Sequence, residues 1–369
     1  MRIGIDGGAL SITDDRLKVG VYRVAYNLVK EMQVLNAKND YRVYSFGRGE
    51  RGTHSLAGPN THFVQLIRPG YQSIWQTVDI VKHPIDVYLG ISQSIPLLPK
   101  ILCDVSTIGF IYDVGFLDYP ECYPGSANTL NRQTAALVAR SNHIITITEA
   151  SKDALRRAYH VPDGRVSVAY LGVDSHFTGR GEAKKPKHPY FLFVGSLKRG
   201  KNVPLMLRAF ADFLTSVKTI YDFVLVGGDY WMDPEIPDTI RELGLGDRVH
   251  IVGHVPDDEL SMYYRGAVAL LSASLIEGFG LPAAEAMACG LPVIGSNIGS
   301  YAEVVGKAGL LVNPKDRAEV TQAMLRYTHD DVFRIASVAA GKHQATQFRW
   351  RSFARAVLTA AETLYQSKS

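Results

Sequence analysis

The chain has 369 residues, 46% of them hydrophobic and 21% charged, with a net charge of +4. That length suits two domains or one large one, and the apolar content is enough for real cores. The mild charge excludes both a charge-rich disordered chain and a strongly basic nucleic-acid binder. The three cysteines, Cys103, Cys122 and Cys289, show neither metal-ligand spacing nor a paired framework, and free thiols fit a reducing cytoplasm. The opening MRIGIDGGAL is too short and too glycine-rich for a signal peptide, and Asp6 interrupts it. No run reaches the roughly 18 apolar residues of a membrane span, so any membrane association is expected to be peripheral.

In chain order, Met1 to Ile5 reads as a first strand and Asp6 to Gly20 as a polar loop. Apolar residues from Val21 to Met32 recur at helical spacing, so the loop feeds a helix N-terminus at Gly20. That terminus is either an anion or sugar site or an ordinary strand-to-helix connection. Strands are expected at Tyr41–Phe46, His62–Ile67, Asp86–Gly90 and Thr107–Tyr112, the last ending in Asp113, with a helix over Tyr71–Lys82. Asn128–Arg140 has helical periodicity, and His143–Thr148 reads as a strand. Thr148 to Ser151 opens another helix, with Ser151 read as its cap rather than a ligand. Val166–Tyr170 closes this series.

Thr178 to Pro189, TGRGEAKKPKHP, has no apolar period and reads as a solvated connector. The divisions expected are therefore residues 1–177, a linker at 178–189, a second domain at 190–349 and a terminal segment at 350–369. Tyr190–Val194 starts a second alternating strand and helix series. The loop Gly195–Asn202 follows it, carrying Lys198, Arg199 and Lys201 ahead of an amphipathic helix, Val203–Leu214. A lone basic loop reads as solvated surface, but cations at a strand's carboxyl end also suit a phosphate leaving group. Phe223–Val226 and Gly227-Gly228-Asp229 are strand and turn, without the third glycine of a dinucleotide fingerprint. Val249–Val252 is a further strand, followed by Gly253, His254 and Val255 and a helix to Arg265. Strands and helices after that are expected at Leu310–Val312, Val320–Tyr327 and Phe353–Leu364, with Phe348, Trp350 and Phe353 as packing residues.

The most informative stretch is Leu275–Asn297, LIEGFGLPAAEAMACGLPVIGSN, after an apolar strand at Val268–Leu271. Glu277, Gly278, Phe279 and Gly280 form a glycine-punctuated loop. Pro282 suits the first turn of a helix, where its missing N–H is not needed, Ala283–Cys289 is helix-forming, and Gly290 ends it. A helix N-terminus offers unpaired amides and partial positive charge, and the glycines let a ligand approach the backbone. Glu277 and Glu285 flank this anion site. They are either solvated surface acids around an ordinary turn or hydroxyl acceptors on either side of a diphosphate, Glu277 for a sugar and Glu285 for a ribose.

EGFGLPAAEAMACGLPVI resembles the Glu-x7-Glu signature of retaining family 4 glycosyltransferases. The match runs past both acids through Gly278, Phe279, Gly280, Pro282, Ala286, Met287, Gly290 and Pro292. The resemblance implies the GT-B fold, in which two Rossmann-like α/β domains face each other across a cleft and the C-terminal helix crosses back to the first. It implies that Gly20 faces the cleft, that DYPECYP at 118–124 is an acceptor-side loop and that Gly195, Ser196, Arg199 and Lys201 meet the donor. It further implies that backbone around Gly253, His254 and Val255 reads the nucleobase, with His254 either stacking or merely surface, and that Gly278, Phe279, Gly280 and Leu281 cradle the diphosphate between Glu277 and Glu285. SQSIPLLPK at 92–100 also resembles a family loop. Three departures stand out. Tyr112-Asp113 replaces a His-Asp pair, leaving Tyr112 either as a hydrogen-bond donor to a sugar or as core, and Asp113 as the favoured catalytic-side residue. Gly200 holds a position where relatives carry Arg, so Lys198 or Arg199 joins Lys201. Ser272 replaces a proline.

The implied reaction is hexosyl transfer from a nucleotide sugar with retention. Lys201 and the loop amides stabilise the leaving diphosphate, and Glu277 holds donor hydroxyls. No cofactor and no metal are expected, since no Asp-x-Asp or His cluster is present. Bacterial mannosyltransferases of surface-polysaccharide synthesis are the most similar in character, so GDP-mannose is the first expectation, with UDP-sugars open. The acceptor is expected to be a glycan or lipid-linked saccharide. The rival readings are a GT-B epimerase or hydrolase, and a non-catalytic nucleotide-sugar module.

Overall fold

A computed structural model describes residues 1–12, 14, 18, 20–46, 54–66, 72–92, 95–96, 102–228 and 232–368. The expected roles of Ile67, Tyr71 and Asp229, and of most of the 92–100 loop, lie outside these residues. The chain divides into two compact units. The first comprises Met1–Leu117, Gly125–Gly172 and Arg349–Ser369; the second comprises Asp118–Pro124 and Val173–Phe348.

The first unit is built on strands β1 (Arg2–Asp6), β2 (Asp40–Phe46), β3 (Thr61–Leu66), β4 (Val87–Gly90), β5 (Ser106–Phe110), β6 (His143–Thr146) and β7 (Val166–Val168). All pair in parallel, in the order β3-β2-β1-β4-β5-β6-β7. Its main helices are α1 (Gly20–Leu35), α2 (Gln72–Lys82), α3 (Ala127–Arg140) and α4 (Glu149–Tyr159). The cap of α4 is Thr148, whose hydroxyl accepts from the Ser151 amide at 3.1 Å; Ser151 is therefore not the cap, and its own hydroxyl donates to the Tyr112 carbonyl.

The second unit has β8 (Tyr190–Val194), β9 (Asp222–Val226), β10 (Val249–Gly253), β11 (Leu270–Ser272), β12 (Val293–Ser296) and β13 (Leu310–Val312), all parallel, in the order β10-β9-β8-β11-β12-β13. Between and after them come α5 (Val203–Ser216), α6 (Glu235–Glu242), α7 (Asp257–Gly266), α8 (Leu281–Cys289), α9 (Gly299–Val305), α10 (Arg317–His329) and α11 (Asp331–Ala345). Strands buried on both faces read as continuous apolar runs, and YFLFV of β8 is such a run. Phe191, Phe193, Phe210, Phe213 and Phe223 are fully buried in one core beneath this sheet.

Residues 178–189 fall inside the second unit: the Lys184 amide donates to the Met262 carbonyl and its ammonium pairs with Glu259. The last helix, α12 (Trp350–Gln366), belongs to the first unit, where Phe353 packs on Phe110 and Trp350. Phe348, buried in the second unit, has its ring edge-on to Phe279, 5.3 Å between centroids. No helix among the described residues is long and apolar enough to cross a membrane.

Candidate functional site

In an open parallel sheet, ligands bind beyond the carboxyl ends of the strands where the strand order reverses. In the second unit that point lies between β8 and β11, which are neighbours through Leu192 and Leu270. The loop leaving β8 carries Gly195, Ser196 and the three cations, and Asn202 ties it down. Asn202 takes a left-handed conformation at φ 59°, and its side-chain amide donates to the carbonyls of Ala273 at 2.9 Å and Pro314 at 2.7 Å. One residue thus joins the loops after β8, β11 and β13. Gly227, after β9, touches this loop directly, since a Cβ there would lie 1.9 Å from the Gly195 carbonyl oxygen.

The loop leaving β11 returns to the same place. The Leu275 amide donates to the Gly200 carbonyl at 2.9 Å, and the ammonium of Lys201 pairs with Oε2 of Glu277. Both charges are partly open to solvent, with side chains 25% and 15% exposed. Such a pair can exchange partners with a ligand at modest cost, whereas a fully buried one cannot. Lys198 shares the field: partial burial, then the charge of Lys201, lowers the pKa of its amine. Arg199 is exposed beside it.

Gly280 caps α8 at φ 92°, a conformation that favours glycine, and Pro282 occupies the first turn. The amides of Ala283 and Ala284 turn inward to the Gly280 carbonyl. Those of Gly278, Gly280 and Leu281 have no backbone partner among the described residues outside the helix ladder, so the helix start keeps its capacity for an anion. Within the same helix, Glu285 is 3% exposed and its Oε2 accepts from the Tyr264 hydroxyl at 2.8 Å.

Residues 188–330 match the family described as Glycosyl transferases group 1. This segment is a group 1 glycosyl transferase domain. The chain is 28% identical over 263 residues to O-antigen chain mannosyltransferase B of Escherichia coli, covering 69% of each protein. It is 35% identical over 182 residues to O-antigen chain mannosyltransferase RfbU of Salmonella typhimurium, covering 48% of this chain and 49% of that relative, so the match spans about half its length. Sucrose-phosphate synthase of Thermosynechococcus elongatus shares the fold, with a TM-score of 0.81 over 99% of both chains at 19% identity. The two parallel-sheet α/β units have the GT-B fold.

Within the glycosyl transferase domain, Gly195, Ser196, Arg199, Lys201 and Glu277–Leu281 lie on two adjoining loops. Two of the expected donor residues have buried side chains. The Phe279 side chain is buried against Phe348, so only its backbone is left to face a ligand. Val255 is buried too, while His254 is exposed. The expected acceptor-side segment 118–124 sits with the same loops: a Cβ at Gly200 would lie 3.8 Å from that of Cys122, and Lys315 stands 5.6 Å over the Tyr119 ring.

Gly20 and Asp113 belong to the first unit. Gly20 is exposed at the start of α1. Asp113 accepts from the Gly115 amide at 3.0 Å, and the Tyr112 hydroxyl donates to the Ile91 carbonyl at 2.9 Å. Tyr112 is thereby bound into the strand ends of its own unit. Three residues have no role assigned from the sequence. Asp6, 3% exposed, accepts from the amides of Gly8 and Ser92, each at 2.9 Å. Tyr264 reaches Glu285 from a different helix. Tyr301 lies under the α8 N-terminus and looks like any core aromatic.

Proposed function

We propose that this chain is a retaining, metal-independent glycosyltransferase that moves a hexose, mannose from GDP-mannose first, onto a glycan or lipid-linked saccharide. The observation that carries this is the meeting of Lys201 and Glu277 at the reversal point of the second sheet, above a helix start able to take an anion. When donor binds, Lys201 exchanges Glu277 for the diphosphate and the α8 amides share its charge. Glu277, released, accepts from the sugar hydroxyls. Tyr264 holds one oxygen of Glu285 and so orients the carboxylate, which we assign to the ribose. No side chain is needed as covalent nucleophile if the leaving phosphate takes the acceptor proton on the same face. Lys201 and the helix start then do the charge work that a metal does in other transferases. The mannosyl names of the two bacterial relatives support the choice of sugar.

A lipid-linked acceptor is supported by α2, which keeps Ile80 buried but also turns a large apolar face outward. Its inward face carries Gln76, bonded to the Tyr88 hydroxyl at 3.0 Å, and Asp79, paired with Arg42 at 2.8 Å. Its outward face carries exposed Ile74, Trp75, Val78 and Val81, with Lys82 in the last turn. That pattern suits the interface of a lipid layer, where an aromatic and aliphatic face inserts and a cation stays at the headgroups. Sedimentation with anionic phospholipid vesicles should carry the protein down, and Trp75→Ser with Val78→Ser should leave it in solution.

The central experiment incubates the protein with GDP-, UDP- and dTDP-sugars and measures nucleotide release with and without lipid-linked acceptors. Release only with acceptor, chelator-resistant and with the anomeric configuration kept, is the expected result. Release without acceptor makes it a hydrolase or epimerase, and binding without release a non-catalytic module. Glu277→Ala retaining near-normal transfer would contradict the role given to that residue.

A further inference from the structure

Tyr301 stands near the start of α9, just after β12, and its ring is fully buried at 1% exposure. It is wedged between two glycines. A Cβ on Gly280 would lie 2.9 Å from Cε2 of the ring, and one on Gly295 2.4 Å from Cε1. The ring therefore fills the space between the cap of α8 and strand β12. The same point above Gly280 is 3.6 Å from Cγ of Glu277, so the phenol ring and the Glu277 side chain border one spot.

The hydroxyl of Tyr301 is buried with no hydrogen-bond partner among the described residues. Buried hydroxyls are nearly always paired, and an orphan destabilises the fold. Packing does not require it, because phenylalanine supplies the same ring. Burial first, and then the charge of Glu277, raise its pKa, so the oxygen keeps its proton and remains a donor. The Ser272 hydroxyl acts the other way, as a hydrogen-bonding neighbour would, but its geometry does not make it a partner of the phenol and its own contact is with Ser274 Oγ at 3.3 Å. The site thus holds a neutral donor on a ring that borders the Glu277 side chain, whose carboxylate is at present paired with Lys201.

We infer that Tyr301 is a positioning residue of the donor site, whose hydroxyl takes over the Glu277 carboxylate when Lys201 leaves it for the diphosphate. The inference rests on the donor-site reading above. Glu277 then has a cation as partner in the empty site and a neutral donor in the loaded one. Its carboxylate stays aimed at the sugar in both, and the positive charge is free for the leaving group. The orphaned hydroxyl is the cost of holding that second partner ready.

Tyr301→Phe tests this in the full chain, because the ring and its fit between the glycines are kept. The expected result is a Tm equal to or above that of the parent, GDP or UDP affinity within about twofold, and kcat lower by about tenfold, the loss of one hydrogen bond to a charged group. In a Glu277→Gln background the same change should cost less than about twofold, because the residue acts through that carboxylate. Unchanged kcat, a Tm lower by more than about 5 °C, or a full tenfold loss on top of Glu277→Gln would each overturn the inference. Parent protein that releases no nucleotide from any sugar donor would remove the donor-site reading and this inference together. Parent turnover with an equally active Tyr301→Phe removes only the role of Tyr301.

Discussion

The two sheets repeat one topology, yet their reversal points are filled in opposite ways. In the first unit, β1 ends in Asp6, and the amides of Gly8 and Ser92 close on its carboxylate, which is almost entirely buried. In the second, β8 ends in Val194 and is followed by Gly195, with no acid, and the charges that gather there are a partly exposed ion pair, Lys201 with Glu277. Strand ends at such a point present amides that favour an anion. The first unit supplies that anion from its own chain, and the second leaves the place for a ligand. One residue type at the end of the leading strand separates a structural knot from a binding site.

The largest effect that would break this contrast is on Lys201. Lys201→Ala should lower transfer about 10²–10³-fold, the range for losing one preorganised charge at a leaving group. It should leave the Tm within about 2 °C, because a partly exposed pair contributes little to folding. Asp6→Ala should do the reverse. It strips two amides of a charged acceptor and should cost the first unit about 2–4 kcal/mol, seen as an earlier unfolding transition. Nucleotide affinity of the folded protein should stay within about twofold, since the group lies in the other unit. If Asp6→Ala folds normally but loses nucleotide binding, the two points are not the opposites described.

The sequence showed the second point far better than the first, for physical reasons. Parallel strands buried on both faces are legible as apolar runs, and the glycine loop with its flanking acids is a contiguous motif. The Asp6 knot joins residues 6, 8 and 92, and only folding brings Ser92 to it. Tyr264 and Glu285 likewise meet across two helices. Phe279 sits inside the motif, and nothing in the sequence signals that its ring packs on Phe348, 69 positions away. Helix α11 gave no signal because its buried positions are Ser337, Gly341 and Ala345. Small residues let it approach α8 closely, with a Gly341 Cβ only 3.2 Å from Met287 Cγ, but they form no apolar stripe.

A middle-sized effect sharpens the open side of the comparison. Tyr264→Phe removes a donor from the buried Glu285 carboxylate. If Glu285 holds the ribose, nucleoside diphosphate affinity by calorimetry should fall about five- to tenfold, the value of one hydrogen bond to a charged group. Inorganic diphosphate, which has no ribose, should bind as before. Equal losses for both ligands would place the ribose elsewhere.

The smallest effect tests the closed side through pH. Burial raises the pKa of Asp6 from its ordinary 3.8, and the amides of Gly8 and Ser92 only partly oppose this. The unfolded chain therefore releases the proton first as pH rises above 3.8. Through that window the folded state holds more protons, so this group's contribution to stability falls as pH rises. Asp6→Asn keeps a carbonyl acceptor and cannot titrate, so it escapes the decline. Its Tm minus that of the parent should be lowest in acid, climb above pH 3.8 and level off once the folded carboxyl ionises. Every other carboxylate is common to both proteins and cancels in the difference. A difference that stays flat from acid to neutral pH would mean that Asp6 is held by its amides as comfortably as in water, and the knot would then be no more costly to charge than the open site is.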